Sequence, residues 1–237
     1  MRLFAILCWL SIPVFAWAYH VGPGQQQMQL DQADASLQQA QMSSEKGDFD
    51  QAKHSFAKSL SEIPEDRKTE QQKIRLAFAK TQMESSELPE ARVALEGLLK
   101  ELEADETSSP ELIKETRQAL ASAQYYMTWL MRLEGLPNTE WEPEIEASRQ
   151  HYRVMAEQAK AEGSSTEFAT RQHDLEAAIR LARMDLSELQ ALNLPCQCKG
   201  CCSGQCQGKK PSRKVAKKNE KKGKSAGLGP LPDGNGS

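Results

Sequence analysis

Beyond about residue 25, apolar side chains recur every three or four positions, and runs rich in Val, Ile and Thr or alternating apolar with polar are almost absent. Such spacing belongs to amphipathic helices and argues against strands. The spacing predicts helices over 25–46, 49–62, 67–85, 88–104, 109–133, 143–161 and 166–190. Punctuation residues support these cuts. Gly47-Asp48 closes a first hairpin, Pro64 follows the second helix and Pro89 fits the first turn of the fourth. Ser108-Ser109-Pro110-Glu111 reads as a cap with Pro near N1, and Thr139 to Pro143 and Ser164-Ser165-Thr166-Glu167 read as further starts.

The fifth helix carries the broadest apolar face. Leu112, Thr116, Ala119, Ala123, Tyr126, Leu130 and Leu133 repeat at helical spacing, widened by Ile113, Leu120, Met127 and Met131, so this helix is expected to be covered on more than one side. The last helix shows the same periodicity through Phe168, Leu175, Ile179, Ala182, Leu186 and Leu189, as a cap on a stack would.

An internal repeat emerges from these elements. Gly47-Asp48-Phe49-Asp50-Gln51-Ala52, then Phe56, Ser59-Leu60 and Pro64, suits a helical hairpin: glycine for a tight turn, Phe49 and Phe56 to fill the space between antiparallel helices, Ala52 for close approach, Pro64 as a stop. Counting back places Ala40 at the small position of the first helix. A second copy lies 39 residues on, with Ala79 for Ala40 and Ala91 for Ala52, around Glu87-Leu88-Pro89-Glu90-Ala91, Leu95 and Leu98. A third, around Ala123, Tyr126 and Ala147, departs further, its tight turn replaced by a loop from Arg132 to Glu142. The first copy resembles the second half of a tetratricopeptide repeat, whose period is about 34 residues, so the second carries a short insertion near Arg67.

The resemblance covers residues 33–104 well and 109–161 loosely. It implies an all-α stack of antiparallel helical hairpins, an α-solenoid, whose first helices line a face suited to an extended peptide or a partner helix. The face implied is Asp34, Leu37, Gln41 and Glu45 in the first copy and Lys73, Leu76, Lys80 and Glu84 in the second. Their mixed charge names no ligand. The same residues also read as ordinary solvated positions on a small scaffold.

The ends differ from the body. Arg2 precedes an apolar run from Leu3 to Ala18 that closes on Ala16-Trp17-Ala18, the pattern of a signal peptide cleaved after Ala18. About sixteen residues is short for a span, which needs roughly 20; an uncleaved anchor is the alternative. The expected order is a leader (1–18), a lead-in (19–32), the helical domain (33–194), a cysteine-rich segment (195–208) and a basic tail (209–237). The expected home is the periplasm or the secreted space, with no membrane span in the mature chain.

Net charge deepens the contrast. From residue 207 on there are nine Lys and Arg against Glu220 and Asp233, a net of +7 that leaves −10 for the rest of a chain totalling −3. The basic run from Lys209 to Lys224 contains no aromatic residue, which disfavours stacking on bases or sequence-specific nucleic-acid recognition. It suits either contact with anionic polymers through charge alone or a solvated, disordered tail.

Ahead of that run stand Cys196, Cys198, Cys201, Cys202 and Cys206, five cysteines in eleven residues. Their spacing could hold a soft ion such as Zn or Cu(I), and resembles the cysteine usage of metallothioneins over this stretch. An exported location favours disulfides instead. Five is odd, so internal pairing leaves one thiol free, metal-bound or joined to another chain.

Catalytic signals are lacking. His20, His54, His151 and His173 are widely separated, and no H-E-x-x-H or glycine-rich phosphate loop occurs. The expectation is a non-enzymatic, exported helical scaffold that binds an unidentified protein partner. The alternatives are a metal-binding protein acting through its cysteines and a binder of anionic polymers acting through its tail.

Overall fold

The computed structural model describes residue 9 and residues 23–192. The rest of the leader, the cysteine-rich segment and the basic tail lie outside the described residues. Within them every regular element is a helix: α1 (Pro23–Glu45), α2 (Phe49–Glu62), α3 (Lys68–Glu84), α4 (Leu88–Ala104), α5 (Pro110–Leu133), α6 (Asn138–Ala161), α7 (Ser165–Arg183) and α8 (Leu186–Ala191).

Each helix from α1 to α7 packs chiefly on its sequence neighbours, with a further contact between α3 and α5 and one from α8 back to α5. Three apolar cores follow one another along the chain. The first joins α1, α2 and α3 through Ala40, Ala52, Phe56 and Ile74. The second joins α3, α4 and α5 through Leu76, Leu95, Leu98, Leu120 and Tyr126. The third gathers Tyr125, Trp129, Tyr152, Met155, Leu181 and Leu189 from α5 to α8. Helix α5 is covered on two sides, as its wide apolar face requires: Leu112, Leu120 and Tyr126 face one core, Ala121, Tyr125 and Trp129 the next.

The first hairpin closes on small side chains. Ala33, Ser36, Ala40 and Ser43 of α1 are buried, as are Ala52, Ser55 and Ser59 of α2. Small residues let the backbones approach, and the hydroxyls find partners: Ser59 donates to the Ala33 carbonyl at 2.9 Å and Ser36 to Glu62 at 2.8 Å. Phe56 fills the remaining space and stacks on Phe78 of α3, ring centroids 6.1 Å apart.

The turns after α1 and α3 share one geometry. Gly47 has φ +79°, and the Asp48 amide donates to the Ser43 carbonyl at 2.9 Å, closing the end of α1 in a Schellman arrangement. Ser86, 39 residues on, has φ +68°, and Glu87 donates to Gln82 at 3.1 Å in the same way. A side chain held in this left-handed region costs roughly 1–2 kcal/mol, so Ser86→Gly should stabilise the body by about 1 kcal/mol. Urea midpoints of the two proteins check this; an unchanged or lower midpoint in Ser86→Gly speaks against strain at this turn.

Two expected boundaries are corrected. The sixth helix begins at Asn138, not at residue 143, so the expected loop from Arg132 to Glu142 shrinks to Glu134–Pro137 with Gly135 at φ +76°. Pro137 occupies the N-cap, and Pro143 lies inside α6, close enough to the start that its missing N–H removes only the bond to Thr139, in the first turn. The single helix expected over 166–190 breaks at Met184-Asp185. Asp185 caps α8 in a reciprocal box with Glu188, and Arg132 of α5 donates to the carbonyls of Leu181 and Met184 where α7 ends. The break changes the register: Leu189 is buried while Leu186 is exposed.

Candidate functional site

The residues expected to line a partner face divide between surface and core. On α1, Asp34, Gln41 and Glu45 are exposed on one side of the helix, and Leu37 is half-buried against the first core. On α3, Lys73 and Glu84 are exposed and Lys80 is half-exposed. Leu76 departs from the expectation: it is 3% exposed and belongs to the core between α3, α4 and α5, out of reach of a ligand. Helix α3 packs on both its neighbours, sending Ile74 and Phe78 to one core and Leu76, Ala79 and Met83 to the next, so only a narrow polar strip stays open.

The residues assigned to the hairpin itself lie between helices. Ala40, Ala52, Ala79, Ala91 and Phe56 are buried, Phe49 and Pro64 half-buried, and Gly47 forms the first turn. Cys196, Cys198, Cys201, Cys202 and Cys206 lie outside the described residues. Among the described residues no group of three or more His, Cys, Asp and Glu side chains is placed to hold a metal ion, and no helix is long and apolar enough to cross a membrane.

Charged side chains tie helices together across the surface. Lys53 of α2 reaches Glu87 at the head of α4, and Arg92 of α4 meets Glu144 of α6 at 3.0 Å. Lys80 of α3 reaches Glu115 of α5, and Lys114 of α5 meets Glu167 of α7 at 2.7 Å. Glu101 of α4 accepts from Arg75 and Gln72 of α3, and the Arg75 guanidinium, followed by the Gln72 amide, holds its carboxyl below the usual range.

Sequence reasoning missed a charged layer inside the last helices. Arg171 and Asp174 of α7 are both buried, 3.4 Å apart, and Arg171 also donates to Gln118 of α5 at 2.7 Å. They fall at three- and four-residue spacing in line with Ala178 and Leu181, so a signal existed: two charges set into an apolar stripe. Arg132, also missed, stacks on Trp141 at 4.7 Å besides capping α7.

Two polar clefts open along the body. One of about 360 Å³ lies between α1 and α2, with Gln39, Gln51, His54 and Lys58 on its walls. Another of about 610 Å³ runs between the ends of α4, α5 and α6, where Arg117 pairs with Glu103 at 2.6 Å beside Gln158. His151 on α6 is half-buried, and burial, then the Arg117 charge, push its pKa below 6.5, while Glu103 and Glu96 pull the other way. An imidazole that resists protonation only when folded stabilises the fold above about pH 6.5, and that contribution is lost as pH falls below it. Between pH 7 and 5 the melting temperature of His151→Gln should therefore fall less than that of the unaltered chain; parallel slopes would rule out this linkage.

Comparison with protein-family models, curated proteins and solved structures finds no match to this chain.

Proposed function

We propose that the chain is an exported scaffold built from repeated helical hairpins, which binds a protein partner along the face of its first helices. One observation carries the reading: positions 39 residues apart share burial and geometry. Ala40 and Ala79, Ala52 and Ala91, Phe56 and Leu95, Ser59 and Leu98, and Ile63 and Leu102 are each buried as a pair. Gly47 and Ser86 make the same left-handed turn, and Lys53 and Arg92 both reach forward to the next even-numbered helix. Ion pairs that skip one helix, α2 to α4 to α6 and α3 to α5 to α7, suit two layers of alternating helices. A tetratricopeptide-like stack is built in that way, with its first helices together in one layer.

In this arrangement Asp34, Gln41, Glu45, Lys73, Lys80 and Glu84 present a polar, mixed-charge surface to an extended segment or a helix of the partner. Catalysis forms no part of the reading. The leader assigns the protein to the periplasm or secreted space.

Photo-crosslinkers placed at Gln41 and Lys73, and for comparison at Val93 of α4 and Val154 of α6, test the face in cells. Adducts of one discrete mass from the first pair alone support it, and equal labelling from both pairs rejects it. The same preparation should show a mature N-terminus at Tyr19; intact Met1 in the exported fraction rejects the cleavage.

The cysteine-rich segment sustains a second reading, in which the helices present a thiolate site for Zn or Cu(I). Native mass spectrometry separates the two: bound metal with reduced thiols favours metal handling, and metal-free oxidised cysteines favour the scaffold.

A further inference from the structure

The last two described helices leave an apolar groove open. It lies between α7 and α8, measures about 680 Å³ and draws its apolar lining from residues such as Ile179, Met184 and Leu192. Leu192 is at once part of that lining, 48% exposed, and the residue at which the description of the body ends. Its backbone has already left the helix: φ −87° and ψ 146° are extended values.

The next residues are Asn193, Leu194 and Pro195. Proline disfavours the helical region for the residue before it, which biases Leu194 toward extended backbone as well. Side chains alternate along an extended segment, so a leucine two residues after Leu192 falls on the same side, about 7 Å further on. Few other side chains could take its place. After Leu194 the next branched aliphatic residue is Val215, 21 positions on.

Size and tethering favour this segment over an outside occupant. A stable interface between two chains needs about 1,000 Å² or more of matched surface, whereas the groove has the volume of a single pocket, in the range of roughly 300–1,000 Å³. A side chain tethered two residues from the lining has an effective concentration on the order of millimolar or above. It therefore fills the groove ahead of a second chain or a free ligand present at micromolar level.

We propose that residues 193–195 form a strap that closes the groove between α7 and α8, with Leu194 as its apolar anchor. The helical body then ends on its own chain, and the groove is closed to partners. The proposal is independent of the partner face on the first helices.

Binding of Nile red, an uncharged dye that fluoresces in apolar sites, tests the strap in the full chain. The unaltered protein should bind the dye weakly. Leu194→Asp should open the groove and raise the affinity at least about tenfold, because a carboxylate does not settle on an apolar lining. Adding Ile179→Glu to that variant should abolish the gain, and Leu194→Met or Leu228→Asp should leave the dye unbound. Hydrogen exchange supplies the second readout. Amides of α8 and the last turns of α7 should exchange at least about fivefold faster in Leu194→Asp, with α1 to α4 unchanged as the check that the body remains folded. Their protection in the unaltered chain should be the same after a hundredfold dilution, since a strap is intramolecular. Dye binding as tight in the unaltered chain as in Leu194→Asp would show the groove open to ligands, and overturns the proposal. Protection that falls on dilution would assign the groove to a second copy, and Leu194→Asp indistinguishable in both readouts would leave Leu194 outside it; either result overturns the strap equally.

Discussion

Asp174→Ala should lower the stability of the helical body by about 3 kcal/mol, because it leaves the Arg171 guanidinium buried with its nearest inward counter-charge removed. Asp174 is 0% exposed, and among the described residues Arg171 keeps Gln118 at 2.7 Å and Glu167 at 3.7 Å. Solvent cannot replace the lost carboxylate at that depth. Removing both charges is different in kind: Arg171→Met with Asp174→Leu spares the protein two desolvations and should return stability to within about 1 kcal/mol of the starting value. Urea unfolding of the two variants beside the unaltered chain reads the contrast as midpoints at constant slope. A single substitution no worse than the double one would mean that the pair is solvated and adds nothing to the packing of α7.

The same pair shows how far the residue pattern leads. Helices α2 and α4 match the ranges expected from periodicity, 49–62 and 88–104, because strong local signals bracket them: Gly47-Asp48 and Pro89 at their starts, proline or acidic polar residues at their ends. At the corner before α6 the signal misled. Proline is usually a boundary, but near the start of α6 it removes one bond and crowds one carbonyl, both at Thr139, so the helix begins five residues earlier than Pro143. At Met184-Asp185 no glycine or proline announces the break. The Asp185–Glu188 capping box was readable, yet the apolar spacing through Leu186 and Leu189 ran across it.

Site residues were legible in proportion to how local their causes are. Ala40, Ala52 and Gly47 answer to the geometry of one hairpin, and the structure buries the two alanines and turns the glycine. The polar strip of α3 depends on two cores at once, so counting along one repeat put Leu76 on the open face although it is buried. Arg132 and Trp141 meet across the corner between α5 and α6, and the Arg171 layer joins α5 to α7. Contacts of that kind depend on how helices far apart in sequence come together, which periodicity within one helix does not encode.

Arg132→Met is the second substitution expected to act strongly, and its effect should be local. The guanidinium donates to the Leu181 and Met184 carbonyls at the end of α7 and lies 4.7 Å from the Trp141 ring, so three elements meet on one side chain. Carbonyls in the last turn of a helix have no intrahelical donor, and Arg132 supplies two at once in a forked geometry. Partial burial strengthens these bonds while it disfavours the free charge, and burial holds the guanidinium pKa below its usual value. Methionine keeps the apolar stem but neither donor, for an expected loss of about 2 kcal/mol. Arg132→Lys should recover less than half of it, since a single ammonium neither forks between two carbonyls nor stacks flat on the indole. Hydrogen exchange locates the effect: amides of α8 and the last turn of α7 should lose protection first, with α1 to α4 unchanged. Uniform loss along the chain would show that Arg132 supports the whole body instead of fastening its last corner.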